Sequence, residues 1–129
     1  MYEGLHEIRS VFQGLQTLYE IYLPKVDPIL IHDLLVREIE KSEKSPFYMV
    51  EIFTKPGMDS EAMKNWIFAK TGWLPAIYDH GTHYVTNQRL TLEALREMSD
   101  SDDVLEVTGD YTGSVGAWGA SHEAKARAH

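Results

Sequence analysis

The residues that could most directly do chemistry stand together at Asp79-His80-Gly81-Thr82-His83. Imidazole nitrogen and carboxylate oxygen both ligate Zn²⁺ and related ions, so Asp79, His80 and His83 are candidate ligands for a divalent metal. Either imidazole could instead serve as a general acid or base. A structural zinc site normally closes with four ligands. The remaining histidines, His6, His32, His122 and His129, are distant in sequence and fall in no pattern such as HExxH. The competing reading places His80 in a solvated turn and His83 on an exposed strand face, with no cofactor.

Other chemistry-bearing groups are less organised. Asp100, Asp102, Asp103, Glu106 and Asp110 form an acidic patch without the DxDxDG spacing of a calcium loop, and read as a solvated turn or a contact for a basic partner. The glycines of GSVGAWG lack both GxxxxGK[ST] and a GxGxxG set between strand and helix, which removes a phosphate cradle. Ser114 and Ser121 lie in no GxSxG elbow. With no cysteine in the chain, thiolate metal sites, disulfides and cysteine nucleophiles are excluded. Trp66, Trp73, Tyr78 and Tyr84 could line a small-ligand pocket or pack in a core.

The elements that must position these groups follow from hydrophobic period and turn chemistry. Leu5, Ile8, Phe12, Leu15, Tyr19 and Tyr22, widened by Val11 and Leu18, predict an amphipathic helix over 3–22 ended by Pro24. Asp27-Pro28 supplies an N-cap and a first-turn proline for a second helix to about Ser42, whose apolar positions are Leu30, Ile31, Leu34, Leu35 and Ile39. Together they form an αα-hairpin, which either covers the core or docks a partner. After the polar break at 42–46, Phe47–Thr54 reads as a central strand. Asp59 caps a helix over 60–71 that stops at Gly72. Trp73–Asp79 and His83–Leu90 flank a hairpin turn at His80-Gly81, with Pro75 favouring an edge position. Thr91 caps a third short helix carrying Leu92, Leu95 and Met98, and Val104–Thr108 alternates as a last strand.

The order βαββαβ predicts an α+β chain of ferredoxin-like design, an antiparallel sheet with helices on one face and its first and third strands central. At 129 residues the chain holds one such domain over 46–109, a helical hairpin over 1–45 and a Gly/Ala-rich tail over 110–129. Hydrophobic residues at 43% and charged residues at 25% are ordinary for globular proteins. A net charge of −8 without a basic stripe argues against nucleic acid as partner. No run of about 18 apolar residues offers a membrane span, and MYEGLHEIRS lacks the basic-then-apolar order of an export signal. A cytoplasmic protein is expected.

The segment RLTLEALREMSDSDDVLEV, through Leu90, Leu92, Leu95, Asp103, Val104 and Val107, is similar to the end of the subtilisin-propeptide-like inhibitor family. FYMVEIFTKPGMDSEAMKNWI resembles that family's first strand and helix, so the likeness spans about 47–111. It implies a module that packs its sheet on a serine protease and lays the segment after the last strand in the substrate cleft. Here that segment is Thr108, Gly109, Asp110 and Tyr111, with Tyr111 entering an apolar pocket. The amino-terminal hairpin and the absence of an attached protease depart from the family's minimal pattern. Asp110, Tyr111 and Trp118 are thus candidate partner-binding residues. The first expectation is a non-enzymatic protein-interaction or oligomerisation module. A trans-acting protease inhibitor or chaperone is the second, and a metal- or small-ligand enzyme using Asp79, His80 and His83 is the third.

Overall fold

A computed structural model describes residues 3–113. Its elements are α1 (Glu3–Tyr22), α2 (Pro28–Leu35), β1 (Phe47–Thr54), α3 (Ser60–Thr71), β2 (Ala76–Tyr78), β3 (His83–Arg89), α4 (Leu92–Asp100) and β4 (Val104–Tyr111). The four strands form one antiparallel sheet in the order β2-β3-β1-β4. This is an α+β chain, and among the described residues no helix is long and apolar enough to cross a membrane.

Local chemistry sets the element ends. Asp27 accepts from the Ile29 amide at 3.0 Å, Asp59 from the Glu61 and Ala62 amides, and Thr91 from the Ala94 amide at 3.1 Å. Each satisfies a donor that the first helical turn leaves free. Gly72 takes the left-handed conformation that closes α3. The second helix is shorter than its apolar pattern suggests: α-geometry stops at Leu35 and Val36–Glu40 form a π-turn, with the Lys41 amide donating to the Val36 carbonyl. β2 is confined to three residues, because Pro75 at its start offers no amide to the ladder. β4 runs on to Tyr111, so Asp110 and Tyr111 belong to the sheet.

One sheet face, carrying Tyr48, Val50, Ile52, Tyr84 and Val107, forms the core with Leu30, Ile31 and Leu34 of α2, Met63 and Ile67 of α3, and Leu95 and Met98 of α4. Alternation sends Glu51, Phe53 and His83 to the opposite face. Gly109 sits where a Cβ would meet the Met49 carbonyl oxygen at 2.7 Å, so the missing side chain is what lets the β1 backbone lie this close to β4, with Leu30 of α2 at 3.4 Å above. The chain between α1 and α2 also joins the sheet. Val26 bridges Val107 in parallel, the Asp27 amide donates to the Val107 carbonyl at 2.9 Å, and the Val107 amide donates to the Lys25 carbonyl at 2.8 Å. This segment covers part of the outer edge of β4.

Candidate functional site

The hairpin between β2 and β3 is built around left-handed backbone at Asp79 (φ 53°), His80 (φ 59°) and Gly81 (φ 84°). The Tyr78 carbonyl accepts from the Gly81 and Thr82 amides at 3.1 and 3.3 Å. The two central residues of the turn are therefore Asp79 and His80, one position earlier than the His80-Gly81 pair expected from sequence. Asp tolerates this conformation because a short polar side chain costs little there. The Gly81 carbonyl accepts from the Tyr84 hydroxyl at 2.7 Å, and the Thr82 hydroxyl donates to the Asp79 carbonyl at 2.8 Å. The turn is fixed before any ligand is considered.

That fixed turn delivers Asp79 to His83. The Asp79 carboxylate lies 3.6 Å from His83 Nδ1, while Glu51 of β1 lies 3.0 Å from His83 Nε2. Phe53 stacks on the imidazole at 4.4 Å with an interplanar angle of 14°, and Tyr78 approaches at 5.5 Å. Of the three candidate ligands, Asp79 and His83 come together, whereas His80 stays exposed on the turn. Sequence reasoning missed Glu51, whose one signal was a carboxylate interrupting an otherwise apolar strand. The two carboxylates occupy opposite ring nitrogens, so they cannot share one ion with His83. Among the described residues no group of three or more His, Asp or Glu side chains is arranged to hold a metal. What the arrangement does is tie β1, β3 and the turn through one imidazole clasped by two anions and two aromatic rings.

A second polar cluster lies where α2 and the π-turn meet β1 and β4. The Tyr48 hydroxyl donates to Asp33, Arg37 Nε stands 3.6 Å from the same carboxylate, and the Arg37 guanidinium caps the Tyr111 ring at 3.5 Å. The Tyr111 hydroxyl donates to Glu43 at 3.0 Å, and its ring meets Tyr48 edge-on. Burial, then the bond to Asp33, pushes the Tyr48 phenol far above its ordinary value. Burial is the largest influence on Arg37 and opposes its charge, but Asp33, Tyr111 and Tyr48 together outweigh it and keep the guanidinium above its usual value. Tyr111 is thus engaged within its own chain. Asp110, paired in register with Met49, lies toward the other sheet face, and Trp118 falls outside the described residues.

Of the four aromatic residues proposed to line a pocket, Tyr84 is core, Trp73 and Tyr78 are exposed, and Trp66 is half-buried. Trp66 borders a cleft of about 220 Å³ between α3 and α4 with buried Gln88 as a lining group. Gln88 accepts from the Thr86 hydroxyl, making a polar pair on the core side of β3 that its sequence context did not announce.

α1 differs from every other element. Its apolar stripe is present, but Tyr19 is its one buried residue, with Leu15 half-buried. Leu5, Ile8, Val11, Phe12, Leu18, Ile21 and Tyr22 are between 46% and 72% exposed. Scattered apolar residues on a surface need no explanation, but seven on one helix form a patch. No family model, curated protein or solved structure matches the chain.

Proposed function

We propose that this chain is a non-enzymatic protein-interaction module, a ferredoxin-like sandwich with an amino-terminal helical hairpin whose first helix is the docking element. The observation that supports this reading is the uncovered apolar face of α1. Large aliphatic and aromatic side chains each gain roughly 1.5–3 kcal/mol when buried. A 20-residue helix with one buried residue leaves most of that gain unrealised among the described residues. A protein surface that accepts the helix would realise it. The imidazole has a structural role compatible with the same reading, since Glu51 at 3.0 Å and the stacked Phe53 ring hold His83 between β1 and β3.

A polarity-sensitive dye together with light scattering tests this. The purified chain is expected to self-associate or, where monomeric, to bind the dye, and Val11→Glu/Leu18→Glu is expected to abolish either behaviour. A wild-type chain that is both monomeric and silent to the dye would mean that α1 is folded onto its own domain, and the reading would fail. The inhibitor alternative would require Tyr111 to leave Glu43 and Arg37. Titrating a subtilisin-type protease with the full chain is accordingly expected to show no loss of protease activity.

A further inference from the structure

We propose that a second copy of this chain covers α1, in an antiparallel helix pair centred on Val11, Gly14, Leu18 and Ile21. The proposal rests on the interaction-module reading and names its partner. α1 leans on its own domain through Tyr19, with Leu15 and Leu23 beside it. Val11, Gly14, Leu18 and Ile21 follow one another at spacings of 3, 4 and 3, a row centred about a third of a turn away from Tyr19. Val11 is 72% exposed, Leu18 51% and Ile21 60%; Tyr22 flanks the row with the Arg96 guanidinium 5.3 Å over its ring, and exposed Ile8 lies on the Tyr19 side of the helix. The polar residues Arg9, Gln13, Gln16 and Glu20 lie on the opposite side of the helix.

Gly14 is the second observation. A glycine inside a helix costs about 1 kcal/mol relative to alanine, and a Cβ built at Gly14 meets nothing within 4 Å. Among the described residues no contact accounts for the missing side chain. At a helix crossing the same absence lets two axes approach and leaves a hole for a large residue. A two-fold axis between Gly14 and Leu18 supplies that residue, placing Leu18 of each copy over Gly14 of the other and Val11 against Ile21. Such a surface is complementary to itself, as a two-fold interface must be.

Charge sets the direction. Glu7 and Glu3 continue the row in the turns before Val11 and are the charged residues on it. Parallel pairing would bring two Glu7 carboxylates together, which is destabilising, whereas antiparallel pairing sends them to opposite ends. Val11, Leu18, Ile21 and Tyr22 at about 100 Å² each give roughly 800 Å² over both copies, the scale of a weak, concentration-dependent pairing.

The chain contains no cysteine, which makes cross-linking unambiguous. Light scattering from about 1 to 100 μM is expected to show a mass rising toward twice 14.7 kDa. Leu18→Glu is expected to remain monomeric with an unchanged circular dichroism spectrum. Val11→Cys/Ile21→Cys is expected to form covalent dimers under mild oxidation, and Val11→Cys alone is not. A monomeric wild-type chain that still binds the dye overturns the second copy as partner and leaves the interaction reading intact. A monomer silent to the dye overturns both. Dimers cross-linked through Val11→Cys alone overturn the antiparallel pairing.

Discussion

Asp33 is asked to serve two partners at once, a phenol from the first strand and a guanidinium one helical turn further on. Tyr48→Phe removes a donor from that carboxylate and is expected to lower stability by about 1–3 kcal/mol in urea unfolding at neutral pH. The same tyrosine shapes the alkaline limb. Its folded pKa lies above the unfolded value of about 10, so its contribution is complete below pH 10 and is lost as pH rises beyond it. Burial raises Tyr84 and Tyr111 in the same direction. Stability is therefore expected to fall above about pH 10, less steeply in Tyr48→Phe. Glu38 carries the matching penalty in the neutral range. Burial, then the nearby Glu93 charge, raises its carboxyl, so the fold is favoured when it is protonated and loses that advantage as pH climbs through its folded value. Glu38→Gln is expected to gain a few tenths of a kcal/mol at pH 7 and nothing below about pH 4, read from denaturation midpoints. Of the tyrosine cluster only the Asp33–Arg37 pair, one helical turn apart, is local; Glu43, Tyr48 and Tyr111 join it only after the sheet has formed, so the cluster was not legible in sequence.

The secondary elements show where local chemistry suffices and where it does not. Asp27, Asp59, Thr91 and Gly72 announced their caps because capping is a matter of neighbouring residues. Asp59→Ala is expected to cost about 0.5–2 kcal/mol in thermal unfolding. The β1 strand was equally plain, being long, branched and aromatic. The π-turn at Val36–Glu40 was not, since those residues would suit an ordinary helix; it coincides with the segment that turns Arg37 over Tyr111. The β2–β3 turn was misplaced by one residue because its neighbours decide it: Gly81 lies against α3, where a Cβ would stand 3.0 Å from that of Ser60. With φ at 84°, Gly81→Ala combines backbone strain with that contact, and a loss of about 1–3 kcal/mol is expected.

For the whole molecule, the sequence pattern sufficed for an α+β chain with one antiparallel sheet but was silent on which helix would be left uncovered. α1 and α2 carry similar stripes, and only the packing of α2 against Val107, Gly109 and Tyr48 shows which has a place on the sheet. An apolar helix that finds its partner by association also ties stability to amount. The unfolding temperature of the wild-type chain is expected to rise with protein concentration, and that of Leu18→Glu to stay flat, in scans over a hundredfold range. The segment from Lys25 to Asp27 adds a mechanical consequence. A load applied along α1 would reach the sheet through these residues, since two backbone bonds to Val107 join them to β4. A force there would be shared across a strand ladder rather than concentrated on one hinge, so the helix is rooted in the sheet and not in a free loop.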